Sequence, residues 1–539
     1  MKISGNLVDI HNRKIFPAEI DVKNGKISEI VRIDSAPDRY ILPGLIDAHI
    51  HIESSMITPG AFAIAAVKHG TTGVVSDPHE IANVIGEAGV RFMIEDAEKV
   101  PLKFWFGVPS CVPATSFETS GAILDHNAVE KLLHLTQIKY LSEMMNFPGV
   151  IYEDAEVIAK LDIARKLNKP IDGHAPGLTG ESLKKYVAAG ISTDHECSTI
   201  AEALEKISLG MHILIREGSA ARNLESLKEL FNLNPDKVML CSDDLHPEML
   251  KVRHINKIIG KLISEGYNTF DVISSATVNP VKHYGLDSGL LRIGDNADFI
   301  LVDDLNKMNV IETWIDGRRV FGGGKVEFSY IPGNPINNFN CSLIKANDIK
   351  VINRHGNIKV IEAFEGELLT KQFQSFTGKS DNVESDTDKD ILKIVVKDRY
   401  NDTAPAIGFI KGFGLKKGAF ASSVAHDSHN IICVGTNDND IKDAVNEIVR
   451  MKGGLAVSSG GKTESIQLNI AGIMTTRSCD EVAYDYEKLN EAVKSLGSAM
   501  AAPFMTLSFM ALLVIPDLKI GDHGLFDVNK FELVSLFVE

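Results

Sequence analysis

The sequence predicts an α/β protein built on a (β/α)8, TIM-like barrel, with a small composite β-sandwich domain and a C-terminal α/β or α+β domain. Three observations predict it. Between residues 41 and 285, eight short apolar segments alternate with helix-length amphipathic stretches, the pattern of repeated βα units around a parallel sheet. Residues 1–40 and 286–335 instead alternate apolar and polar positions between turn signals, the pattern of short half-buried strands. Residues 340–539 mix strand and helix patterns and form a third region.

The elements follow in order. Lys23-Asn24-Gly25 marks a turn in the N-terminal β region. The eight barrel segments are Gly44 to Ala48, Gly73 to Ser76, Phe104 to Val108, Tyr140 to Met144, Pro170 to Gly173, Ser192 to Asp194, His212 to Arg216 and Val238 to Cys241. Their starts lie roughly 20 to 40 residues apart, the length of one strand, one helix and two loops. Segments 294–302 and 314–320 read as hairpin strands that rejoin the N-terminal β region. Gln374 to Asp390 is polar and charged and reads as a loop or linker, and no internal repeat is visible.

A chain of 539 residues is long enough for two or three cores. Hydrophobic residues at 44% and charged residues at 24% are the balance of a globular protein. A net charge of -16 and a pI near 5.6 argue against nucleic acid as a partner, because that affinity comes from Lys and Arg meeting phosphates. Six dispersed cysteines without a CxxC pair point away from disulfides and thiolate zinc, and toward a reducing cytoplasm. The N-terminal stretch has no apolar signal core, and the run Phe504 to Pro516 falls short of the roughly 20 residues of a membrane helix, so no membrane partner is expected.

The chemistry concentrates at the ends of the barrel segments. Asp47-Ala48-His49-Ile50-His51 places two histidines at i and i+2 on one side of the first strand. An isolated HxH is common, but the C-terminal rim is where barrels of this kind carry catalytic groups. His174 after the fifth segment, His195 after the sixth and Asp243 after the eighth are ligand types at the same rim. Glu143 ends the apolar fourth segment, where a buried carboxylate must be an ion-pair partner or a metal ligand. As a ligand it would bridge two ions, with His49 and His51 on one, His174 and His195 on the other, and Asp243 completing the site.

Residues 43 to 51 (Pro-Gly-Leu-Ile-Asp-Ala-His-Ile-His), the rim residues His174, His195 and Asp243, Ala-Thr-Val-Asn-Pro at 276 to 280 and Gly-Asp-Asn-Ala-Asp-Phe at 294 to 299 together resemble the amidohydrolase superfamily. That resemblance covers about the first 330 residues. Many two-metal members bridge their ions with a carboxylated lysine on the fourth strand, and Glu143 stands in that place. The segments 51 to 56, 77 to 84, 108 to 115, 143 to 150, 172 to 177, 216 to 220 and 241 to 244, with His-Asp-Ser-His-Asn at 426 to 430 and 503 to 509, are similar to the adenine deaminase family almost to the end of the chain.

That resemblance implies hydrolytic deamination of adenine to hypoxanthine and ammonia in purine salvage, with two divalent ions, manganese or iron being favoured and zinc compatible. The alternative is another amidohydrolase acting on a cyclic amide or a different aminated heterocycle. Asp243 is expected to be both ligand and general base, with Glu80 and Glu196 as candidate proton donors to the ring. Asp244, His79 and Ser110 are expected at the substrate. Asp244 has the alternative of a solvent-facing carboxylate, and Asp77-Pro78-His79-Glu80 that of a turn starting a helix. Arg216 and Glu217 are expected to form a supporting ion pair, with a role at the substrate as the alternative. His426 and His429 belong to a lid or to an unrelated polar loop. His254 is read as a surface or packing residue. A homo-oligomer is expected only because such assemblies are common.

Overall fold

The computed structural model describes residues 1–538. The chain forms two compact units. The first comprises Met1–Pro78, Arg91–Ser110 and Asp125–Gly333; the second comprises His79–Val90, Cys111–Leu124 and the chain from Asn334 onward. The segments 79–90 and 111–124, inside the stretch read as barrel, thus pack with the second unit.

In the first unit, β1 (Lys2–Asp9), β2 (Lys14–Lys23), β3 (Lys26–Arg32) and β4 (Tyr40–Pro43) precede the barrel strands. These are β5 (Leu45–His51), β6 (Thr71–Ser76), β7 (Lys103–Val108), β8 (Ile138–Met144), β9 (Ile171–Gly173), β10 (Thr193–Asp194), β11 (His212–Arg216) and β12 (Val238–Cys241). Then come β13 (Asp243–Asp244), β14 (Phe299–Val302), β15 (Val310–Ile315), β16 (Arg318–Gly322) and β17 (Lys325–Val326).

Strands β5 to β9 pair in parallel in sequence order, and β10 to β12 do the same. The Ser192 amide donates to the Ile171 carbonyl at 2.9 Å and joins the two groups. Strand β13 pairs in parallel with β5, Asp243 opposite Ile50, and closes the ring. The barrel strands are short apolar runs rather than alternating ones because helices cover their outer face. Ile46, Ala48, Val75, Trp105, Tyr140, Leu214, Met239 and Cys241, from six strands, pack together as one core layer.

The remaining strands of this unit form one continuous sheet, in the order β17-β16-β15-β14-β4-β1-β2-β3. The expected β-sandwich is therefore a single sheet that curls on itself. The Ile27 amide donates to the Asp295 carbonyl at 2.9 Å, and residues from both halves, including Leu7, Ile20, Phe299 and Trp314, share one core.

The second unit is α+β. Its main sheet runs Thr370–Phe376, Asn357–Ala363, Ala406–Lys411, Leu392–Lys397, Ile431–Gly435, Ala419–Ser422, Gly454–Ser459 and Lys462–Gln467. All neighbours are antiparallel except the pair of Asn357–Ala363 with Ala406–Lys411. The helix Asp438–Met451 buries Ile441, Ala444 and Ile448 against Ala421 and Cys433 of the sheet. Part of the expected linker is strand, since Gln374 to Phe376 pair with Asn357 to Lys359. Their polarity reflects an exposed edge rather than a loop. Among the described residues, no helix is long and apolar enough to cross a membrane.

Candidate metal centre

Six side chains singled out in the sequence meet at the carboxyl ends of the barrel strands. His49 and His51 close β5, Glu143 lies one residue before the end of β8, His174 and His195 directly follow β9 and β10, and Asp243 opens β13. All six are buried. The ladder between β5 and β6 shifts register between Asp47 and Ile50, an irregularity of the kind that re-aims rim side chains.

The two oxygens of Glu143 divide the cluster. Oε1 lies 3.4 Å from His51 Nε2, whereas Oε2 lies 2.8 Å from His174 Nδ1 and 3.1 Å from His195 Nε2. Around the first oxygen, Asp243 Oδ1 is 3.2 Å from His51 Nε2 and 3.6 Å from His49 Nε2. These are the separations of ligand atoms that share an ion at about 2.0–2.2 Å. His51 Nδ1 donates to the Asp77 carbonyl at 3.1 Å, which leaves its Nε2 lone pair facing the cluster. The set can hold two divalent ions, His49, His51 and Asp243 on one side of Glu143 and His174 and His195 on the other. Its imidazole and carboxylate donors suit manganese, iron and zinc.

Burial opposes ionisation of Glu143, but His195 and His174 outweigh it and hold the carboxyl well below its usual range. Burial likewise opposes charge on Asp243, and Arg216, then His49 and His51, outweigh it in the same direction. For His174 burial works against the imidazolium, yet Glu196 and Glu143 raise it to about 9. Without metal the site therefore attracts protons, and a metal ion would compete for the same lone pairs.

Further contacts fix the rim. Arg216 Nη1 lies 2.5 Å from both Glu196 Oε1 and Asp243 Oδ2, and Nη2 donates to Glu196 Oε2 at 2.9 Å. The expected pairing of Arg216 with Glu217 is thus replaced: two buried carboxylates compete for the fork, and Glu217 faces Arg222 at 3.8 Å instead. Asp47 accepts from the Ser242 amide at 3.0 Å, from the Ser242 hydroxyl, and from His254 Nε2 at 2.8 Å. It thereby pins the residue before Asp243, whose backbone sits at φ 56 in the left-handed region. The Ser110 hydroxyl donates to the Glu143 carbonyl at 2.5 Å, and the Ser110 carbonyl accepts from Lys160 Nζ at 2.9 Å. Lys206, fully buried, joins Asp194 Oδ2 and the Ala175 carbonyl, both at 2.8 Å, beside His195 and His174.

The second unit also holds a buried cluster. His79 and Glu80 open the helix His79–Ile85. Glu80 Oε1 contacts His426 Nδ1, and Glu80 Oε2 contacts His429 Nε2. His79 Nε2 lies 3.5 Å from Glu80 Oε1 and 3.8 Å from Asp427 Oδ1. Burial opposes charge on Glu80, but His426, His429 and His79 together keep it well below its ordinary range. Burial, with Asp427 nearby, pushes the Glu118 carboxyl well up.

The structure thus gathers His49, His51, Glu143, His174, His195, Asp243 and Glu196 in the first unit, with Asp244 beside them, its Oδ1 accepting from the Ser54 hydroxyl at 2.5 Å. Glu80 and His79 fall in the second unit with His426 and His429. Ser110 is engaged with the β8 backbone. Sequence reasoning missed His254, whose signal was Asp47 itself: a carboxylate inside an apolar strand requires a partner.

Two family models match the chain: the amidohydrolase family over residues 40–320 and the adenine deaminase C-terminal domain over residues 367–532. A relative from Methanosarcina mazei named adenine deaminase is 53% identical, over 100% of both chains. One from Salinibacter ruber with the same name is 49% identical, over 100% of this chain and 99% of its own. A β-aspartyl dipeptidase structure from Fervidobacterium islandicum is 16% identical, with a TM-score of 0.48 over 61% of this chain and 99% of that one. A chain half identical to these deaminases from end to end, with a model match in each of its two principal regions, belongs to the adenine deaminase family of the amidohydrolases.

Proposed function

We propose that this chain hydrolyses adenine to hypoxanthine and ammonia, with His49, His51, Glu143, His174, His195 and Asp243 holding two divalent ions. The observation that carries the reading is full-length identity to proteins named adenine deaminase. The buried donor set that divides about Glu143 supports the metal assignment. Bound there, divalent ions supply hydroxide at neutral pH by lowering the pKa of water to about 7. Manganese or iron is the proposed native metal.

Asp243 takes the proton as the water oxygen bonds to C6 of the purine. Arg216 fixes its carboxylate through Oδ2, so that Oδ1 remains turned to His49 and His51. Asp244 and His79 are proposed to bind the heterocycle. Ser110 contributes through the backbone of Glu143, which it holds in place. Glu80 and Glu196 are the carboxyl candidates for moving a proton onto the ring. The net charge of -16 supports a small-molecule substrate over nucleic acid, and a cytoplasmic homo-oligomer is the proposed setting.

The test is ammonia release by protein stripped with chelator and reloaded with manganese, iron or zinc, on adenine, adenosine, cytosine and a cyclic amide. Turnover of adenine that saturates near two metal equivalents is expected. Turnover of a different substrate overturns the purine reading, and tight metal binding without turnover overturns the enzyme.

A further inference from the structure

The two halves of the metal centre are built differently. His49 and His51 lie on β5, whose backbone is fixed by parallel ladders to β6 on one side and β13 on the other. His174 and His195 lie just past β9 and β10, strands of three and two residues. Among the described residues no ladder joins those two strands. The Ile171 carbonyl accepts from the Ser192 amide at 2.9 Å and its hydroxyl at 3.0 Å, and the Gly173 amide donates to the Thr193 hydroxyl at 3.2 Å. Beyond these bonds sheet pairing has ended, and the two imidazoles need another device to keep them in register.

Each histidine has one local support. The His174 amide donates to the Tyr186 hydroxyl at 3.0 Å, and Asn223 Nδ2 donates to the His195 carbonyl at 3.0 Å. The tie between the two comes from the helix Ile200–Ser208, where Glu202 and Lys206 stand at i and i+4 on one face. Lys206 is fully buried, and its three N–H groups go to Asp194 Oδ2 at 2.8 Å, Glu202 Oε1 at 2.7 Å and the Ala175 carbonyl at 2.8 Å. Asp194 Oδ1 accepts from the Ala175 amide at 2.9 Å. Glu202 Oε1 accepts from the Gly177 amide at 2.9 Å, and its Oε2 from the Ser198 amide at 3.1 Å. One cation and two carboxylates thus grip Ala175 and Gly177 after His174, and Asp194 and Ser198 on either side of His195. Apolar residues in place of buried ions are often neutral or stabilising, so stability does not account for three charges at this spot.

We propose that Lys206, with Asp194 and Glu202, is a clip that sets His174 and His195 at one separation and thereby fixes the affinity of one metal ion of the pair. The inference rests on the two-ion reading of the site. The clip touches neither substrate nor metal; its three members are positioning residues that act through the two histidines. Because both loops are held from the same ammonium group, neither imidazole shifts without the other. Partners of this kind behind metal ligands govern affinity as well as orientation. The ion on His49, His51 and Asp243 has its backbone set by β5 and by Asp47 instead, so the two ions answer to different residues.

The test uses the full chain, stripped with chelator and reloaded with manganese. Wild type is expected to bind two equivalents; Lys206→Met should keep one at wild-type affinity and bind the other about 10–100-fold more weakly in chelator competition. Electron paramagnetic resonance reads the same change as the signal of a coupled manganese pair giving way to that of a single ion. Excess metal should restore most of the lost turnover, a rescue that a residue acting on substrate would not show. Glu202→Gln keeps the size and an acceptor oxygen, and should weaken the same ion to a smaller extent. With one equivalent of zinc, nitrogen-15 histidine NMR of either variant should place the retained ion on His49 and His51. Both ions weakened alike, the retained ion on His174 and His195, or unchanged metal binding in folded Lys206→Met overturns the clip; if that variant does not fold, Glu202→Gln decides by the same readouts. Amide exchange of the metal-free chain separates the clip from the metal and substrate readings: Ala175, Gly177 and Ser198 should be protected in wild type and open in the variants. Unprotected amides in wild type overturn the clip whatever binds there. A wild type with fewer than two metal equivalents, or inert on adenine, overturns the proposed function alone.

Discussion

Replacing His254 with alanine should damage a metal site that His254 does not touch. The imidazole is buried; its Nε2 donates to Asp47 Oδ2 at 2.8 Å, its Nδ1 lies 2.6 Å from the Thr71 hydroxyl, and its ring meets Phe62 edge-on at 5.8 Å. Removing a hydrogen bond to a buried carboxylate costs about 1.5–3 kcal/mol. The lost Thr71 contact and the cavity bring the total to about 4 kcal/mol. At about 2 °C per kcal/mol for a unit of this size, the melting point should fall by about 8 °C. Asp47 then keeps only Ser242, the turn that presents Asp243 loosens, and metal affinity should drop by about 10-fold or more, as when other outer partners of metal sites are removed. Competition with a chelator measures the affinity, and urea or thermal unfolding of the apo protein measures the stability. His254→Gln, whose amide replaces the Nε2–H, should regain most of both. An alanine variant that melts early but binds metal like wild type refutes the argument that Asp47 and Ser242 set Asp243.

Three more outcomes follow from the same geometry. Glu143→Gln removes the charge facing both halves of the cluster, so bound metal should fall from two equivalents to one or none by elemental analysis, with several kcal/mol of transition-state stabilisation lost, roughly 10³-fold in turnover. Arg216→Met leaves Glu196 and Asp243 buried without their cation and should cost about 3–5 kcal/mol in urea unfolding of the apo protein, and visibly less once metal is bound. Lys519, fully buried in the second unit with Nζ on the Leu368 and Phe509 carbonyls at 2.6 and 2.9 Å, is pushed down by burial to about 7. Its folded value lies below its unfolded value of 10.5, so the cost of burying the charge is complete below about pH 7 and is relieved as pH rises toward 10.5. Full relief is on the order of 5 kcal/mol, and unfolding of wild type against Lys519→Met at pH 7 and pH 10 should show the pH slope only in wild type.

The barrel was legible because its strands are buried on both faces. The runs His212–Arg216 and Val238–Cys241 coincide with β11 and β12 residue for residue. Strand β10 is Thr193–Asp194, one residue shorter than the segment read from Ser192. The ligand-type residues could be found because rim position is a consequence of strand order. What could not be read was partnership across distance in sequence. Nothing near Arg216 announces Glu196 and Asp243, whereas the adjacent Glu217 invites a wrong pairing. His254 looks like any histidine until Asp47, more than two hundred residues earlier, is seen to need it. His426 and His429 gain meaning only beside Glu80, and that contact spans 349 residues for His429.

The membership of residues 79–90 and 111–124 in the second unit bears on how the chain is made. A ribosome extending at about 5–20 residues per second needs roughly 15 to 60 s to travel from the β6 and β7 loops to the strands around residue 430. For that interval the barrel strands can pair, but Ile81, Val84 and Val112, buried in the finished protein, await partners not yet synthesised. Those apolar side chains therefore lack their partners until translation is nearly over, and cutting the chain at residue 334 would remove the partners permanently. An excised barrel should be judged by its solubility before its activity.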